Sequence, residues 1–383
     1  MAAPYIANWG ILGAGGISST FARDLALPRP EVTDVLHAVL GVGSRDTARG
    51  DKFIADNLPL GGTAQQAGYV KEPPKAVSYA ELFANPDIHI VYIGTLHQQH
   101  HDDVTAALNA GKHVLVEKPA VLNAAEWADL SALAKRKGLF LMEALWTRFQ
   151  PAVKELHRLL HEEKVIGEIR DVRSSFFVEN YNVLPDDHRV VSYEAAGGPL
   201  LDVGAYCMVP ARVALQDNPL NRGARPVVTT AMSKTRMGSD LATTLVLDYP
   251  SLDARATCSM SWNARAPRDA WATIVGTKGE VVIHDGLYRI ARFTVHRLVQ
   301  PAADGKPAVW EEDKVVMDFA GTGLHLEADA VARDVRDGKI ENDRVPHSET
   351  LLTMEIFDQA RREGGYVLPE GMERIGRVGA EGK

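Results

Sequence analysis

Cysteine is scarce: Cys207 and Cys258 are the only two in 383 residues. Two thiols build no disulfide framework, and neither stands in a Cys-x-x-Cys pair that would suggest zinc or redox work. A reducing compartment and a cytoplasmic location are therefore expected. Basic clusters are missing as well. Lysine and arginine total 42 against 50 aspartates and glutamates, a net charge of -8, which offers no electrostatic footprint to a nucleic-acid backbone or an anionic membrane. No apolar run approaches the roughly 18 residues that a spanning helix needs. The opening MAAPYIANWGILGAGG has neither a basic n-region nor a long apolar h-region. Internal repeats and low-complexity tracts are absent too. What remains is a chain too long for one core of usual size, so two domains and a small-molecule partner are expected.

The hydrophobic pattern divides accordingly. Residues 7–12, 36–42, 76–77, 88–94, 114–116 and 139–144 read as strands, with helical stretches between them. That alternation predicts an α/β fold with a mostly parallel sheet and helices on both faces, over residues 1–148. After Thr147 the pattern changes to a helix over 151–163, then GEIRDVRSSFFVE, TTLVLDYP, ARATCSMSW, ATIVGTKGEVVIHD and YRIARFTVHRLV. These read as neighbouring strands joined by turns, with a hairpin at Gly276-Thr277-Lys278-Gly279. An α+β domain with a largely antiparallel sheet is expected over 149–383. Helices near 324–337 and 348–363 close the chain, and the pattern does not assign them to either domain.

Gly13-Ala14-Gly15-Gly16-Ile17-Ser18 matches a dinucleotide fingerprint in the context its mechanism requires, after the first strand and opening a helix. Glycines allow close backbone approach there, and the helix N-terminus attracts pyrophosphate. At the end of the second strand a carboxylate would select NAD, whereas a cation accommodates the 2′-phosphate of NADP. Ser44 and Arg45 occupy that place, with Asp46 one step further, so NADP is favoured over NAD, with a solvated surface arginine as the alternative.

Thr95-Leu96-His97-Gln98-Gln99-His100-His101 follows the fourth strand, where ligands bind in open α/β sheets. Three histidines suggest a metal, but no further ligand set stands nearby in sequence, and no metal is expected. Thr95 and His97 are assigned to the nicotinamide pocket, and His100 to the same cofactor-side set through capping or packing. Glu117-Lys118-Pro119 ends the next strand at the same edge. A lysine there would hydrogen-bond a substrate hydroxyl and lower the pKa of a neighbouring phenol; a Glu-Lys surface pair fits the segment equally well. Downstream, AAGGPLLDVGAYC carries Asp202 and Tyr206 four apart, hence on one face of a helix. The phenol suits general acid-base work and the carboxylate suits a diol; alternatively Asp202 caps the helix and Tyr206 packs in the core.

Together, WGILGAGGIS, AGKHVLVEKP, LFLMEALWTRFQP, DDHRVV and AGGPLLDVGAY resemble the glucose-fructose oxidoreductase/inositol dehydrogenase/rhizopine-catabolism family, from Trp9 to Pro369. The likeness is greatest to its group of NADP-dependent D-xylose 1-dehydrogenases and dimeric dihydrodiol dehydrogenases. The resemblance implies a Rossmann domain followed by an α/β domain whose open antiparallel sheet covers the active site and often makes a dimer. It implies that Lys118 lies against nicotinamide and substrate, that Tyr206 is the acid/base, and that Trp146 and Arg148 flank the cofactor. Asp202 would hold a sugar hydroxyl, His97 with Asp187, His188 or Arg189 would add polar contacts, and Glu117 would anchor Lys118 or nearby backbone. Two residues depart from the family pattern: Ser18 in the fingerprint, and Pro199 in what is more often a run of three glycines. The expected reaction is oxidation of an aldose at C1 to the lactone. Competing expectations are a trans-dihydrodiol or sugar-ketone substrate, and a non-catalytic NADP-binding sensor.

Overall fold

The computed structural model describes residues 3–266, 268–303 and 306–379. The chain forms two compact units. One runs to Trp146 and resumes over Ala320–Leu351; the other comprises Thr147–Phe319 and the chain from Leu352 onward.

The first unit opens with strand β1 (Tyr5–Leu12), helix α1 (Gly16–Leu25), β2 (Val35–Gly43), α2 (Thr47–Asn57), α3 (Thr63–Gln66), β3 (Lys75–Val77) and α4 (Tyr79–Ala84). It continues with β4 (Ile90–Ile93), α5 (His100–Asn109), β5 (His113–Glu117), α6 (Ala124–Lys137) and β6 (Leu141–Ala144). The six strands pair in parallel in the order β3-β2-β1-β4-β5-β6. Helices cover both faces of such a sheet, so its central strands lose the alternating pattern: IVYI of β4 is buried throughout. Local chemistry sets the boundaries. Ser78 and Glu81 form a capping box on α4, Asn123 caps α6, and Gly138 ends α6 in a left-handed conformation. All six strands run the same way, so the turns after β1, β4 and β5 emerge at one edge of the sheet.

The second unit comprises α7 (Pro151–His161), β7 (Ile169–Phe177), α8 (Pro199–Ala211) with a π turn after it (Arg212–Gln216), β8 (Val227–Lys234), β9 (Asp240–Tyr249) and β10 (Ala254–Ser261). It is completed by β11 (Ala272–Gly276), β12 (Gly279–Ile283), β13 (Arg292–Gln300) and β14 (Val309–Val316). Its eight strands lie in the order β14-β13-β12-β11-β7-β10-β9-β8. Only β7 and β10 pair in parallel; every other neighbour is antiparallel. The expected hairpin joins β11 to β12, with Gly276 opposite Gly279. Helix α8 packs on β7, β9 and β10, and β9 accordingly alternates buried and part-exposed residues. Ser174 of β7 fastens the helix by donating to the Cys207 carbonyl at 2.7 Å.

Helix α9 (Leu324–Arg336) belongs to the first unit, and the division between the units falls within α10 (His347–Glu363). Buried polar groups hold α9 in place. Asp24 of α1 accepts from Thr322 Oγ1, from the Gly323 and His325 amides and from His325 Nδ1, serving as the cap that Gly323 lacks. Burial works against its ionisation, yet the hydrogen bonds from His325 and Thr322 outweigh burial and bring its pKa down to about 2. On the next turn Asp329 takes both Nη atoms of Arg29, together with His37 Nε2 at 2.8 Å, while His37 Nδ1 accepts from Trp9 Nε1 at 3.0 Å. Glu327 is fully buried on the same helix with neither oxygen hydrogen-bonded. Burial first, then the carboxylates of Glu117, Asp24 and Glu143, push its pKa well up, which favours the neutral acid.

Candidate active site

The glycine turn follows β1. Gly13 donates to the Gly43 carbonyl at 2.9 Å and has φ of 96°, a conformation that disfavours a side chain. A Cβ built on Gly16, the first residue of α1, meets nothing within 4 Å, so its smallness keeps open room at a helix N-terminus, the arrangement that suits a pyrophosphate. Ile17 is partly exposed beside it. Ser18 is explained by its neighbour: a Cβ on Gly94 would overlap Ser18 Oγ, so the close approach of helix and strand, usually met by a small third fingerprint residue, is met by Gly94 across the gap.

After β2, Ser44 is buried, its amide bonded to the Val77 carbonyl at 3.0 Å, and Arg45 is exposed. Asp46 caps α2 by accepting from the Ala48 amide at 3.0 Å, so its carboxylate is committed to the helix rather than to a ribose. One turn beyond Arg45 stands Arg49, which did not figure in the sequence reading. Its Nε and Nη2 reach the Ala14 carbonyl at 3.3 and 3.0 Å and tie α2 to the glycine turn. The i, i+4 spacing to Arg45 was the available signal. Ser44, Arg45 and Arg49 make a donor set that fits a phosphate monoester next to a dinucleotide turn.

The histidine loop divides by role. Thr95 Oγ1 donates to Asp103 at 2.6 Å, and His97 begins a short 3₁₀ turn and is half-buried. His100 is fully buried, with Nδ1 at 3.0 Å from the Pro119 carbonyl and Nε2 at 3.2 Å from that of Thr95. It sits between the β4 and β5 loops, and burial brings its pKa down to about 4, so the neutral ring donates to one of these two carbonyls. His101 faces Asp129 of α6 at 3.2 Å. Among the described residues no group of three or more His, Cys, Asp or Glu is arranged to hold a metal ion.

Lys118 follows the last residue of β5 and is half-buried. Glu117 is buried. Its Oε1 accepts from Tyr92 Oη at 2.8 Å and its Oε2 from the Lys118 amide at 3.2 Å. Burial raises its pKa, partly offset by the Lys118 charge. Glu143, also buried, accepts from the Ala120 amide and from Thr350 Oγ1, each at 3.0 Å. Two carboxylates thus brace the backbone on either side of Lys118. The sequence reading passed over Glu143, although a glutamate inside the apolar run LFLMEA was itself a sign of a buried partner.

Trp146 closes the first unit and is buried. Arg148, in the second unit, is nearly buried and pairs with Asp217 at 2.7 Å. In that unit Asp202 and Tyr206 stand one turn apart near the start of α8. Arg189 Nη1 lies 3.6 Å from Asp202 Oδ1. His188 Nδ1 accepts from the Val190 amide at 3.3 Å, and Asp187 is exposed. The Tyr206 ring is 6 % exposed and stacks beside Phe176, 6.5 Å between centroids; Phe176 in turn meets Trp271 edge-on at 5.4 Å and Tyr288 at 6.1 Å. Gly198, not Asp202, is the N-cap of α8, so Asp202 is not needed as a cap.

A parallel sheet in this order, with a glycine turn after its first strand and a phosphate-suited donor set after its second, defines a dinucleotide-binding domain of the Rossmann class. Residues 7–145 match the oxidoreductase family with an NAD-binding Rossmann fold, and residues 153–282 match its GFO/IDH/MocA C-terminal domain. The chain belongs to this GFO/IDH/MocA oxidoreductase family. It is 31 % identical to a D-xylose 1-dehydrogenase (NADP(+)) of Hypocrea jecorina, over 96 % of this chain and 94 % of that protein. It is 34 % identical to a trans-1,2-dihydrobenzene-1,2-diol dehydrogenase of Bos taurus, over 95 % and 98 %. In structure it is similar to a 3-ketoreductase from Actinomadura kijaniata, with a TM-score of 0.71 and 22 % identity over 92 % and 96 % of the two chains.

Proposed function

We propose that the protein is an NADP-dependent dehydrogenase that oxidises an aldose such as D-xylose at C1 to the lactone. One observation carries the reading: Asp202 and Tyr206 sit one turn apart on a buried helix whose other residues are apolar or small. Gly13, Gly15, Gly16 and Ile17 receive the pyrophosphate, Ser44, Arg45 and Arg49 the 2′-phosphate, and Thr95, His97, Trp146 and Arg148 the nicotinamide side. NADP, when bound, supplies the acceptor for the hydride that leaves C1.

The protein's own groups handle the proton. Tyr206 takes the proton of the C1 hydroxyl, Lys118 hydrogen-bonds that oxygen and favours its negative charge, and Asp202 holds a neighbouring hydroxyl with Arg189 beside it. Asp187 and His188 add contacts at the sugar's outer side. Glu117 and Glu143 keep Lys118 in place, and His100 sits between the two loops. A second reading, oxidation of a trans-dihydrodiol, draws on the aromatic cluster of Phe176, Trp271 and Tyr288 next to Tyr206, since flat rings suit a cyclohexadiene as well as the apolar face of a pyranose. We also propose a homodimer through the second unit's sheet, where Val227, Val299, Trp310 and Val316 are exposed, and a cytoplasmic location, in keeping with two free thiols.

The test is absorbance at 340 nm with NADP and a panel of pentoses, hexoses and trans-dihydrodiols. D-Xylose is expected to rank first. A dihydrodiol ranking first would move the assignment to the second reading. Silence on the whole panel with NADP binding intact would replace the enzyme by a sensor.

A further inference from the structure

Helix α8 begins without a cap of its own. Its N-cap residue, Gly198, has no side chain, and its first helical residue, Pro199, has no N–H. The first available donor, the Leu200 amide, reaches Asp240 Oδ2 at 2.8 Å, and Thr243 Oγ1 donates to Asp240 Oδ1 at the same distance. Asp240 opens β9 and is fully buried. A Cβ on Gly198, whose φ is 135°, would come within 2.5 Å of the Asp240 Cβ. Gly198 therefore makes room for a carboxylate delivered from β9.

An uncharged acceptor would cap the helix at lower cost, because a buried carboxylate without a cation is unfavourable. The charged and titratable groups around Asp240 are otherwise engaged. Lys234, its ladder neighbour on β8, gives its ammonium to the Gly365 carbonyl. Tyr366 donates to the Gly197 carbonyl, Tyr193 to that of Val367, and Arg361 pairs with Glu373. Asp202, in the helix's own first turn, faces Arg189. Burial, against the pull of two hydrogen bonds, pushes the Asp240 carboxyl up to about 7. The compensation left to its charge is the positive end of α8, the helix that presents Asp202 and Tyr206.

We propose that Asp240 is a positioning residue for proton transfer: it fixes the start of α8, and through it the seating of Tyr206. The proposal rests on the role of Tyr206 given above. Because the charged form makes the tighter cap, turnover carries a limb near neutral pH that belongs to Asp240.

Asp240→Asn, which keeps an oxygen for the Leu200 amide, tests this in the full-length protein alone and with Tyr206→Phe. Steady-state rates are read at 340 nm on whichever panel substrate the wild type oxidises best. The single variant should lose about 10-fold in kcat, the cost of a small misplacement of a reacting group. KM and NADPH binding, followed by fluorescence, should change less than about threefold, and the limb near pH 7 should vanish. On the Tyr206→Phe background the same substitution should change the residual rate less than about twofold, because it acts through that phenol. An unchanged kcat, or an equal loss on both backgrounds, overturns the proposal. A wild type that oxidises nothing would sink the enzymatic reading; Asp240 is then judged by the Tyr206 phenol titration, from ultraviolet difference spectra against the matching Tyr206→Phe proteins. A midpoint that moves in Asp240→Asn supports positioning, and one that stays overturns it.

Discussion

Asparagine at position 240 removes a charge that the fold must otherwise bury, and the consequence for stability can be worked out. The carboxyl has an ordinary value of 3.8 and is pushed up to about 7 in the folded chain. Between these values the folded state binds the proton and the unfolded state has released it, so stability falls as pH rises through that window. Each pH unit of the gap is worth about 1.36 kcal/mol, and integration gives a loss of about 3 kcal/mol between ~pH 4.5 and ~pH 8.5 for this group alone. Asparagine does not titrate. The stability of Asp240→Asn relative to wild type should therefore improve by about 3 kcal/mol across that interval, whatever the constant offset from changed packing. Urea unfolding of both proteins at the two pH values, followed by tryptophan fluorescence, measures the difference. A gap independent of pH would show that Asp240 ionises at its ordinary value, and would refute the reasoning. A more stable but slower enzyme at alkaline pH is the signature of a charge retained for position rather than for stability.

Lys118→Met should lower turnover by about 10³-fold while NADPH binding stays within about threefold, measured by fluorescence titration; near-full activity would remove Lys118 from the mechanism. Arg45→Ala should raise the KM for NADP by about 10-fold or more and leave the slow reaction with NAD unchanged, because it acts on the 2′-phosphate alone, whereas Arg49→Ala should weaken both reactions, because it also releases the Ala14 carbonyl of the glycine turn. Asp24→Asn should cost about 2 kcal/mol near neutral pH. The folded value of Asp24, about 2, lies below the ordinary 3.8, so its contribution is present above ~pH 4 and fades as pH falls towards 2. Urea unfolding at pH 7 and at ~pH 3 should show the gap between variant and wild type closing.

The parts of the fold visible from sequence were those where one physical signal dominated. Apolar runs of buried parallel strands such as IVYI, and glycine stops such as Gly138, stand out because burial on both faces and a left-handed φ leave few residue choices. Strands β8 and β14 did not stand out. VVTTAMSK and VWEEDKVV lie at the two edges of the second sheet, are largely exposed, and carry polar residues where a core strand would carry apolar ones. The candidate site divides the same way. Lys118 and the Asp202-Tyr206 face are local patterns, legible in a few neighbouring residues. Asp240, Glu143 and Glu327 matter through partners 40, 23 or more residues away, or through having none at all. Burial creates their chemistry, and one-dimensional spacing does not report burial. Arg49 lay between these cases: its spacing from Arg45 was visible, but its hold on the Ala14 carbonyl was not.

The return of residues 320–351 to the first unit governs how the chain can be made. Helix α9 supplies Asp329 for the Arg29, His37 and Trp9 network and receives its cap from Asp24, yet the ribosome delivers it only after the stretch from Thr147 to Phe319. At about 5–20 residues per second, that interval lasts roughly 10–35 s. During it the nascent nucleotide-binding sheet has its strands but lacks the helix that satisfies Asp24, Arg29 and His37. A fragment ending at Trp146 would stay in that unfinished condition, so the first unit is not a module that can be cut out and moved to another protein. Its completion waits for the synthesis of the other, and the two are inherited as one piece.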